Sequence, residues 1–411
     1  MKYGLIGEKL GHSFSREIHE KLGRYDYELR EIGKEDLAAF MAARDFAGIN
    51  VTIPYKTAVI PYLDELSALA KEVGAVNTIV NRDGRLSGDN TDVWGMLSLI
   101  RRLRPDLTGA TVLILGTGGT SLSAIAAARS LGAGRIVRVS RTGRDGAVTY
   151  EEAYRDFRGA DFLINTTPVG MFPHAGETPI DLSRFPRLSG VADAIYNPLS
   201  TKLLLDARAR GVPAENGLYM LVAQAMRSAE LFTGEPVDES ETERIWRELL
   251  REKRNVVLIG MPGSGKSTVG RLLADKLRRP FVDTDDLIVA RAKAPITEIF
   301  AARGEVAFRD LETAVISDAS QKGGCVIATG GGAILREENL AALRQNGVLV
   351  FLDRPLEALV PTSDRPLANE SEKIRALYET REPLYRRAAA LTVPVADTPE
   401  AVAEIILEKL K

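Results

Sequence analysis

Residues 256–267 read Val-Val-Leu-Ile-Gly-Met-Pro-Gly-Ser-Gly-Lys-Ser. A short apolar run reaches a complete G-x-x-x-x-G-K-S phosphate loop, and a helix-like stretch follows, which is the strand–loop–helix setting this motif needs. The glycines let the backbone wrap closely around phosphates. Lys266 supplies positive charge to the β- and γ-phosphates, and Ser267 can reach a divalent cation. Gly263, Ser264, Gly265, Lys266, Ser267 and Thr268 are therefore the expected nucleoside triphosphate site. Residues 1–253 lie before this unit, far more than a phosphate-loop domain needs. They carry a Gly-rich turn of a different kind, Gly116-Thr117-Gly118-Gly119, after the apolar run Thr111–Leu115. Two nucleotide turns of different type imply two catalytic units on one chain.

Composition supports ordinary buried cores. Of 411 residues, 45% are hydrophobic and 27% charged. The formal net charge is −2 and no run of five or six like charges occurs, which disfavours nucleic acid and an anionic membrane as partners. Cys325 is the sole cysteine, so an internal disulfide is excluded and a reducing compartment fits. His12, His19 and His174 are the only histidines, too few for a His- or Cys-built metal site. The opening residues Met1–Gly7 read as a strand reaching a turn and lack the apolar core of a signal peptide. No stretch is long enough to span a membrane, so the expectation is a soluble cytoplasmic protein.

Along the chain, strand and helix patterns alternate, giving an α/β fold. Strands are expected at Gly48–Pro54, Ala75–Val80, Arg135–Val139, Phe162–Asn165 and Val191–Ile195, and helices at 93–104, 121–131, 217–232 and 239–253. The expected division is a substrate-binding lobe over 1–99, completed by helices in 217–250, and a Rossmann-like lobe over 100–216. The charged end Arg251-Glu252-Lys253-Arg254 then leads into a phosphate-loop unit with a parallel sheet over 254–411.

In the first half, Gly116, Gly118 and Gly119 supply two glycines of G-x-G-x-x-G, with Thr120 beside them and Ser121 where the third glycine would stand. The next strand ends in Ser140-Arg141-Thr142, with Arg144 beyond. An arginine and hydroxyls suit a 2′-phosphate, where an acid would repel it, so NADP(H) is expected rather than NAD. Polar residues also gather at strand ends. Ser13 and Ser15 are two apart, so an extended segment aims both hydroxyls one way. Asn50, Thr52 and Lys56 flank a strand terminus, and Asn77 interrupts an apolar strand, where an unpaired amide is costly. Asp89 and Asp92 precede a helix and equally suit an N-cap. Gln224 shares a helical face with Gly217 and Leu221. Together these make a cavity of hydroxyl and amide groups with one lysine and one carboxylate, as a polyhydroxy acid requires.

The strings Gly11–Ser15, Asn50–Lys56, Gly74–Thr78, Gly88–Asp92, Asn165–Met171, Tyr196–Pro198 and the Gly217–Gln224 helix, in this order, closely resemble shikimate dehydrogenase over about residues 1–250. The resemblance implies that Ser13, Ser15, Thr52, Asn77, Asp92, Tyr196 and Gln224 hold shikimate or 3-dehydroshikimate. It implies that Lys56 and Asp92 are the catalytic pair. It also implies that Gly217 joins Gly116, Gly118, Gly119, Thr120, Ser140, Arg141 and Thr142 at NADP.

In the second half, Phe281-Val282-Asp283-Thr284-Asp285 ends an apparent strand, and both acids, two apart, are expected on one face. One carboxylate near the loop can help hold a metal, and the other can take a hydroxyl proton. Phe308-Arg309-Asp310-Leu311-Glu312 opens a helix-like stretch in which Arg309 suits bidentate recognition of a carboxylate. Gly330, Gly331 and Gly332 follow the strand Cys325–Ile327, a sign of close backbone approach to a ligand. This order resembles shikimate kinase over about 254–411. The resemblance implies Ser267 and Asp283 at Mg²⁺, with Asp285 as candidate base. It implies Asp285, Arg309, Gly330–Gly332 and Arg381 at shikimate, ATP on the loop, and Arg365 as a lid arginine at the transferring phosphate alongside Lys266.

The reading is a bifunctional shikimate-pathway enzyme that reduces 3-dehydroshikimate and then phosphorylates shikimate. Competing readings are a quinate or shikimate dehydrogenase using NAD fused to a small-polyol kinase, one half serving as a non-catalytic regulatory module, and a nucleic-acid-dependent ATPase.

Overall fold

A computed structural model of the chain describes residues 1–11, 13–359, 370–395 and 398–410. The chain forms two compact units. The first comprises Met1–Met171, Glu177–Asn197 and Leu203–Leu249. The second comprises Leu250–Lys411 with the short segments Phe172–Gly176 and Pro198–Lys202.

The first unit holds two sheets. Strands β1 (Tyr3–Gly7), β2 (Glu28–Glu31), β3 (Gly48–Val51), β4 (Glu65–Leu66), β5 (Thr78–Arg82) and β6 (Arg85–Asp89) form a mixed sheet in the order β2-β1-β3-β5-β6-β4. Asp83 and Gly84, both at positive φ, join β5 to β6 in the two-residue hairpin turn whose twist matches that of the strands. Ile6, Ile49, Val51, Ile79 and Leu86 point into one core with Met41, Tyr55 and Val59. Strands β7 (Thr111–Leu115), β8 (Arg135–Val139), β9 (Phe162–Asn165), β10 (Gly190–Asp193) and β11 (Ala214–Glu215) form a second, all-parallel sheet, order β11-β10-β9-β7-β8. The continuous apolar run of β7 is explained by its place between β9 and β8, where Val112–Leu115 are all buried.

The helices Thr91–Leu103 and Leu218–Thr233 tie these sheets together. They approach so closely at Gly95 that a Cβ there would stand 2.5 Å from the Met220 carbonyl oxygen. Arg102 lies over the rings of both Tyr219 and Trp246, 4.2 Å from each centroid, and bonds Glu243 at 2.7 Å. This stacked cation docks the Glu239–Lys253 helix onto the unit.

The second unit has one five-stranded parallel sheet of β12 (Asn255–Ile259), β13 (Phe281–Asp283), β14 (Val326–Ala328), β15 (Gly347–Asp353) and β16 (Leu391–Pro394), order β13-β14-β12-β15-β16. The phosphate loop therefore leaves the central strand, with the β13 and β14 ends on one side of it. Among the described residues no helix is long and apolar enough to cross a membrane.

His19, on the Ser15–Leu22 helix, is buried against Tyr27, with ring centroids 3.9 Å apart, and its Nδ1 lies 2.8 Å from the Tyr25 hydroxyl. Burial holds the imidazole down at about 3, against 6.5 for a free histidine. As pH falls below 6.5 the unfolded chain takes up a proton that the folded chain refuses until about 3, so stability is lost across that window. The first unit is expected to lose up to about 1.4 kcal/mol per pH unit from this residue below roughly pH 6, and His19→Gln to remove that part of the slope. Urea melts followed by tryptophan fluorescence check this. Both tryptophans of the chain, Trp94 and Trp246, lie in the first unit, so the signal reports it alone.

Candidate active sites

In the first unit a lysine and an aspartate meet beyond the strand ends. Lys56 follows β3 after a turn, and Asp92 sits in the first turn of the Thr91–Leu103 helix. Lys56 Nζ donates to Asp92 Oδ2 at 2.6 Å, and both groups are partly open to solvent. Asn77, buried just before β5, orients the carboxylate: its Nδ2 donates to Asp92 Oδ1 at 2.9 Å while its Oδ1 accepts the Thr91 N–H at 2.7 Å. Gln224, on the Leu218–Thr233 helix, faces inward as its helical position predicts. It donates to the Leu221 carbonyl at 2.8 Å, and its Oε1 lies 3.4 Å from Thr91 Oγ1. Thr52 is half-buried at the end of β3.

The serine pair corrects the extended-segment expectation. Ser13 lies in a turn, its N–H bonded to the Leu10 carbonyl, and Ser15 begins a helix whose first N–H groups need acceptors. Ser13 Oγ accepts from the Ser15 N–H at 3.2 Å. Tyr196 is brought to this end by packing against Phe14, with ring centroids 5.3 Å apart, and burial pushes its phenol up. Asp89 accepts from Ser67 Oγ and from the Asn90 N–H.

The Gly turn opens at the end of β7. Gly116 N–H donates to the Val139 carbonyl at 2.8 Å, which sets the turn beside the end of β8 and the loop Ser140–Thr142. Gly118 and Gly119 begin the Gly119–Ser130 helix, and a Cβ on either would meet nothing within 4 Å. That space lies at a helix N-terminus, where backbone N–H groups favour a phosphate. Thr120 follows in the first turn. Ser140 Oγ accepts the Gly143 N–H at 3.1 Å, and Arg141 and Thr142 are exposed beside it. Gly217 has another explanation than a cofactor: a Cβ there would stand 2.1 Å from the Ala194 carbonyl oxygen, so packing alone demands glycine.

In the second unit the loop closes on itself. Lys266, first residue of the Lys266–Leu277 helix, donates to the Gly260 and Met261 carbonyls, both at 2.9 Å. Gly263 and Gly265 hold positive φ, and Ser264 is buried between them. Ser267 Oγ donates to Asp283 Oδ2 at 2.7 Å, with Thr268 exposed next to it. The two acids do not share a strand face as their spacing suggests. Asp283 ends β13 and caps the Thr284–Ala292 helix by accepting from the Asp285 N–H, so Asp285 lies in the helix and turns toward the triple glycine. A Cβ on Gly330 would stand 2.6 Å from Asp285 Oδ1 and 2.9 Å from Glu312 Oε1. Arg309 sits near the start of the helical segment that follows a break at Gly304 (φ 76°, ψ 174°) within Ile296–Ser320, bonded to Glu312 at 2.7 Å and to Glu305 at 3.1 Å. Arg381 Nη1 and the Tyr385 hydroxyl both donate to the Gly331 carbonyl. Arg365 lies outside the described residues.

The profile of the shikimate dehydrogenase substrate-binding domain matches residues 5–79, and that of shikimate kinase matches residues 262–411. A shikimate dehydrogenase (NADP(+)) of Geobacillus kaustophilus is 41% identical, aligned over 61% of this chain and 98% of its own length. The chain belongs to the shikimate dehydrogenase family and continues into a shikimate kinase domain. It is a bifunctional enzyme of the shikimate pathway. Among solved structures, shikimate 5-dehydrogenase from Thermus thermophilus, in complex with NADP(H) and shikimate, is 31% identical with a TM-score of 0.53, covering 60% of this chain and 99% of that one. Quinate dehydrogenase from Corynebacterium glutamicum, in complex with NAD, is 31% identical with a TM-score of 0.55, covering 61% and 98%.

Sequence reading gave the kinase domain's Glu312 no role. It is fully buried, its Oε1 has no partner among the described residues, and burial pushes its carboxyl above the usual range against the pull of Arg309. Its spacing of three from Arg309 on one helix was the available signal. In the dehydrogenase unit the missed groups are Thr78, Thr91 and Ser228, all buried beneath Asn77. Gly332 is the tightest point of the kinase domain's pocket, since a Cβ there would stand 2.0 Å from Arg309 Nη1. Gly332→Ala is expected to fold, because the obstructing atom tips a long side chain. It should raise the KM for shikimate about tenfold or more by displacing a charged hydrogen-bond donor. Kinase assays at saturating ATP check this, and an unchanged KM would separate Arg309 from substrate binding.

Proposed function

We propose that the first unit reduces the ring ketone of 3-dehydroshikimate with NADPH and that the second phosphorylates the 3-hydroxyl of the resulting shikimate with ATP and Mg²⁺. The observation that carries this reading is the Lys56–Asp92 pair, its carboxylate oriented by Asn77 at the open end of the strands. In this reading residues 1–99 with helices from 217–250 are the substrate lobe, 100–216 the NADP lobe and 254–411 the kinase domain, working in the cytoplasm.

Bound NADPH supplies the hydride that reaches the ketone carbon. Lys56, as ammonium, hydrogen-bonds the carbonyl oxygen, stabilises the charge that develops there and passes it a proton, so ketone, hydride and proton balance as a secondary alcohol. Asp92 aims Lys56 and accepts from a substrate hydroxyl. Ser13, Ser15, Thr52, Asn77, Tyr196 and Gln224 hold the carboxylate and hydroxyls. The open helix N-terminus at Gly118–Gly119 fits a dinucleotide pyrophosphate, and the exposed Arg141, with Ser140 and Thr142, fits a 2′-phosphate.

In the kinase domain ATP supplies the phosphoryl group. Asp285 takes the proton of the attacking hydroxyl, Arg309 and Arg381 hold the substrate carboxylate, and Lys266 and Arg365 balance charge on the transferring group. Ser267 and Asp283, oxygen donors side by side at the loop, would hold Mg²⁺, which would offset negative charge on the phosphates. Glu305, the more exposed partner of Arg309, is the group a substrate carboxylate would replace.

A coupled reaction with 3-dehydroshikimate, NADPH, ATP and Mg²⁺ tests the whole reading by NADPH loss and identification of the phosphorylated product. Lys56→Ala is expected to slow NADPH oxidation roughly 10²–10⁴-fold with substrate binding mostly kept, and to leave phosphorylation of added shikimate intact. Unchanged NADPH turnover would remove Lys56 from the mechanism. Arg141→Ala should raise the KM for NADPH about tenfold or more while that for NADH stays level. A wild-type preference for NAD with quinate would instead favour the chemistry named for the Corynebacterium glutamicum relative.

A further inference from the structure

Beneath the Lys56–Asp92 pair lies a closed lattice of side-chain hydroxyls and amides from β3, the start of β5 and two helices: Asn50, Asn77, Thr78, Thr91 and Ser228. All five are buried, Ser228 and Thr78 completely. Each hydroxyl has one proton to give and two acceptor positions. Counting those protons makes Ser228 the residue on which the others depend.

Ser228 Oγ donates to the Gln224 carbonyl, one turn back on its own helix, at 2.9 Å. Its only proton is then spent, so it accepts from everything else. Asn50 Nδ2 donates to it at 2.8 Å. Thr78 Oγ1 and Thr91 Oγ1 stand 3.0 and 3.1 Å away. With one acceptor position taken by Asn50, one threonine donates to the other. The second threonine can donate to the first, 3.2 Å away, or to Asn77 Oδ1, which lies 3.2 Å from both hydroxyls and already accepts the Thr91 N–H at 2.7 Å. The oxygen of Asn77 is held by the Thr91 N–H. Its amide N–H₂ donates to Thr91 Oγ1 at 3.0 Å and to Asp92 Oδ1 at 2.9 Å, so a Thr91 hydroxyl whose own proton goes to Ser228 is free to accept it, and Asp92 holds Lys56. The opposite setting of the amide would place its oxygen against the carboxylate.

We infer that Ser228 is a positioning residue of the dehydrogenase: by accepting from Asn50 and a threonine it sets the proton directions that aim the Asn77 amide at Asp92 and so hold the Lys56–Asp92 pair in its reactive arrangement. Ser228 touches neither Lys56 nor Asp92. Without its hydroxyl, Asn50 loses its shortest acceptor, and a buried threonine proton must turn to the other threonine or to Asn77 Oδ1, each 3.2 Å away. The cost falls on orientation more than on binding, because the lattice lies below the substrate-facing groups. This inference rests on the catalytic reading of Lys56 and Asp92 given above.

The test uses the full chain. Ser228→Ala is expected to lower dehydrogenase kcat roughly tenfold with the KM for 3-dehydroshikimate within about twofold, while turnover of added shikimate by the kinase domain is unchanged. In a Lys56→Ala background the same change should do nothing further, since the pair it positions is already broken. Ser228→Cys keeps the size but is a weak acceptor, should fall between Ser228→Ala and the natural chain, and carries the same test should the alanine variant fail to fold. A wild-type kcat in Ser228→Ala overturns the inference, as does a loss of equal factor with and without Lys56. If Lys56→Ala alone turns over normally, the catalytic reading fails. If Lys56→Ala is crippled and Ser228→Ala is not, only the role of Ser228 fails.

Discussion

One carboxamide holds the surroundings of Lys56 and Asp92 together. Asn77 stands where β3 and β6 end and β5 begins, its carbonyl accepting from Val51 and its N–H donating to Asp89. From that junction its side chain reaches the Thr91 N–H with one atom and the Asp92 carboxylate with the other. A buried amide is costly unless every donor and acceptor is matched, and here the match requires the strand ends, the start of the Thr91–Leu103 helix and the Leu218–Thr233 helix to be in place at once. The polar lattice is therefore a specification of geometry: a strand slipped by one residue would leave several buried groups unpaired.

The kinase domain meets a similar problem with charge. Arg309 and Glu312 are both buried, and a buried pair is stable only when its remaining donors and acceptors are met. Gly330 and Gly332 bring the backbone against this pair, so closely at Gly332 that a Cβ would collide with the guanidinium. Arg381 and Tyr385, from the Ser371–Ala388 helix, close over the Gly331 carbonyl. The surroundings of Arg309 are thus settled by glycine backbone on one side and a buried acid on the other, while the exposed Glu305 holds the fork that faces outward.

Both candidate sites lie at strand ends, where the backbone leaves the sheet and side chains of different elements converge. In the first unit the Gly116 turn and the Arg141 loop are set side by side by a single bond from Gly116 to Val139. In the second, the loop after β12 and the end of β13 meet through Ser267 and Asp283. The parallel sheets supply these neighbours because their strand order puts sequence-distant ends next to one another.

Periodicity located the elements well. Arg135–Val139, Phe162–Asn165 and Glu239–Lys253 fall where apolar spacing put them, and the phosphate loop, the Gly116 turn and Lys56, Asn77 and Asp92 were legible because their residue types are costly or unusual where they stand. Spacing misled where a cap or turn overrode it. Ser13–Ser15 is not extended, because the second serine starts a helix, and Asp283 and Asp285 diverge, because the first caps the helix that contains the second. Ser228 and Thr78 carried no signal of their own, since a serine in a helix or a threonine in a strand is commonplace, and Glu312 had only its spacing of three from Arg309. Local sequence determined the strands, helices and nucleotide turns. The tertiary structure alone decided which polar groups are buried together, because hydrogen-bond matching in an interior depends on partners that lie far apart along the chain and meet only when it is folded.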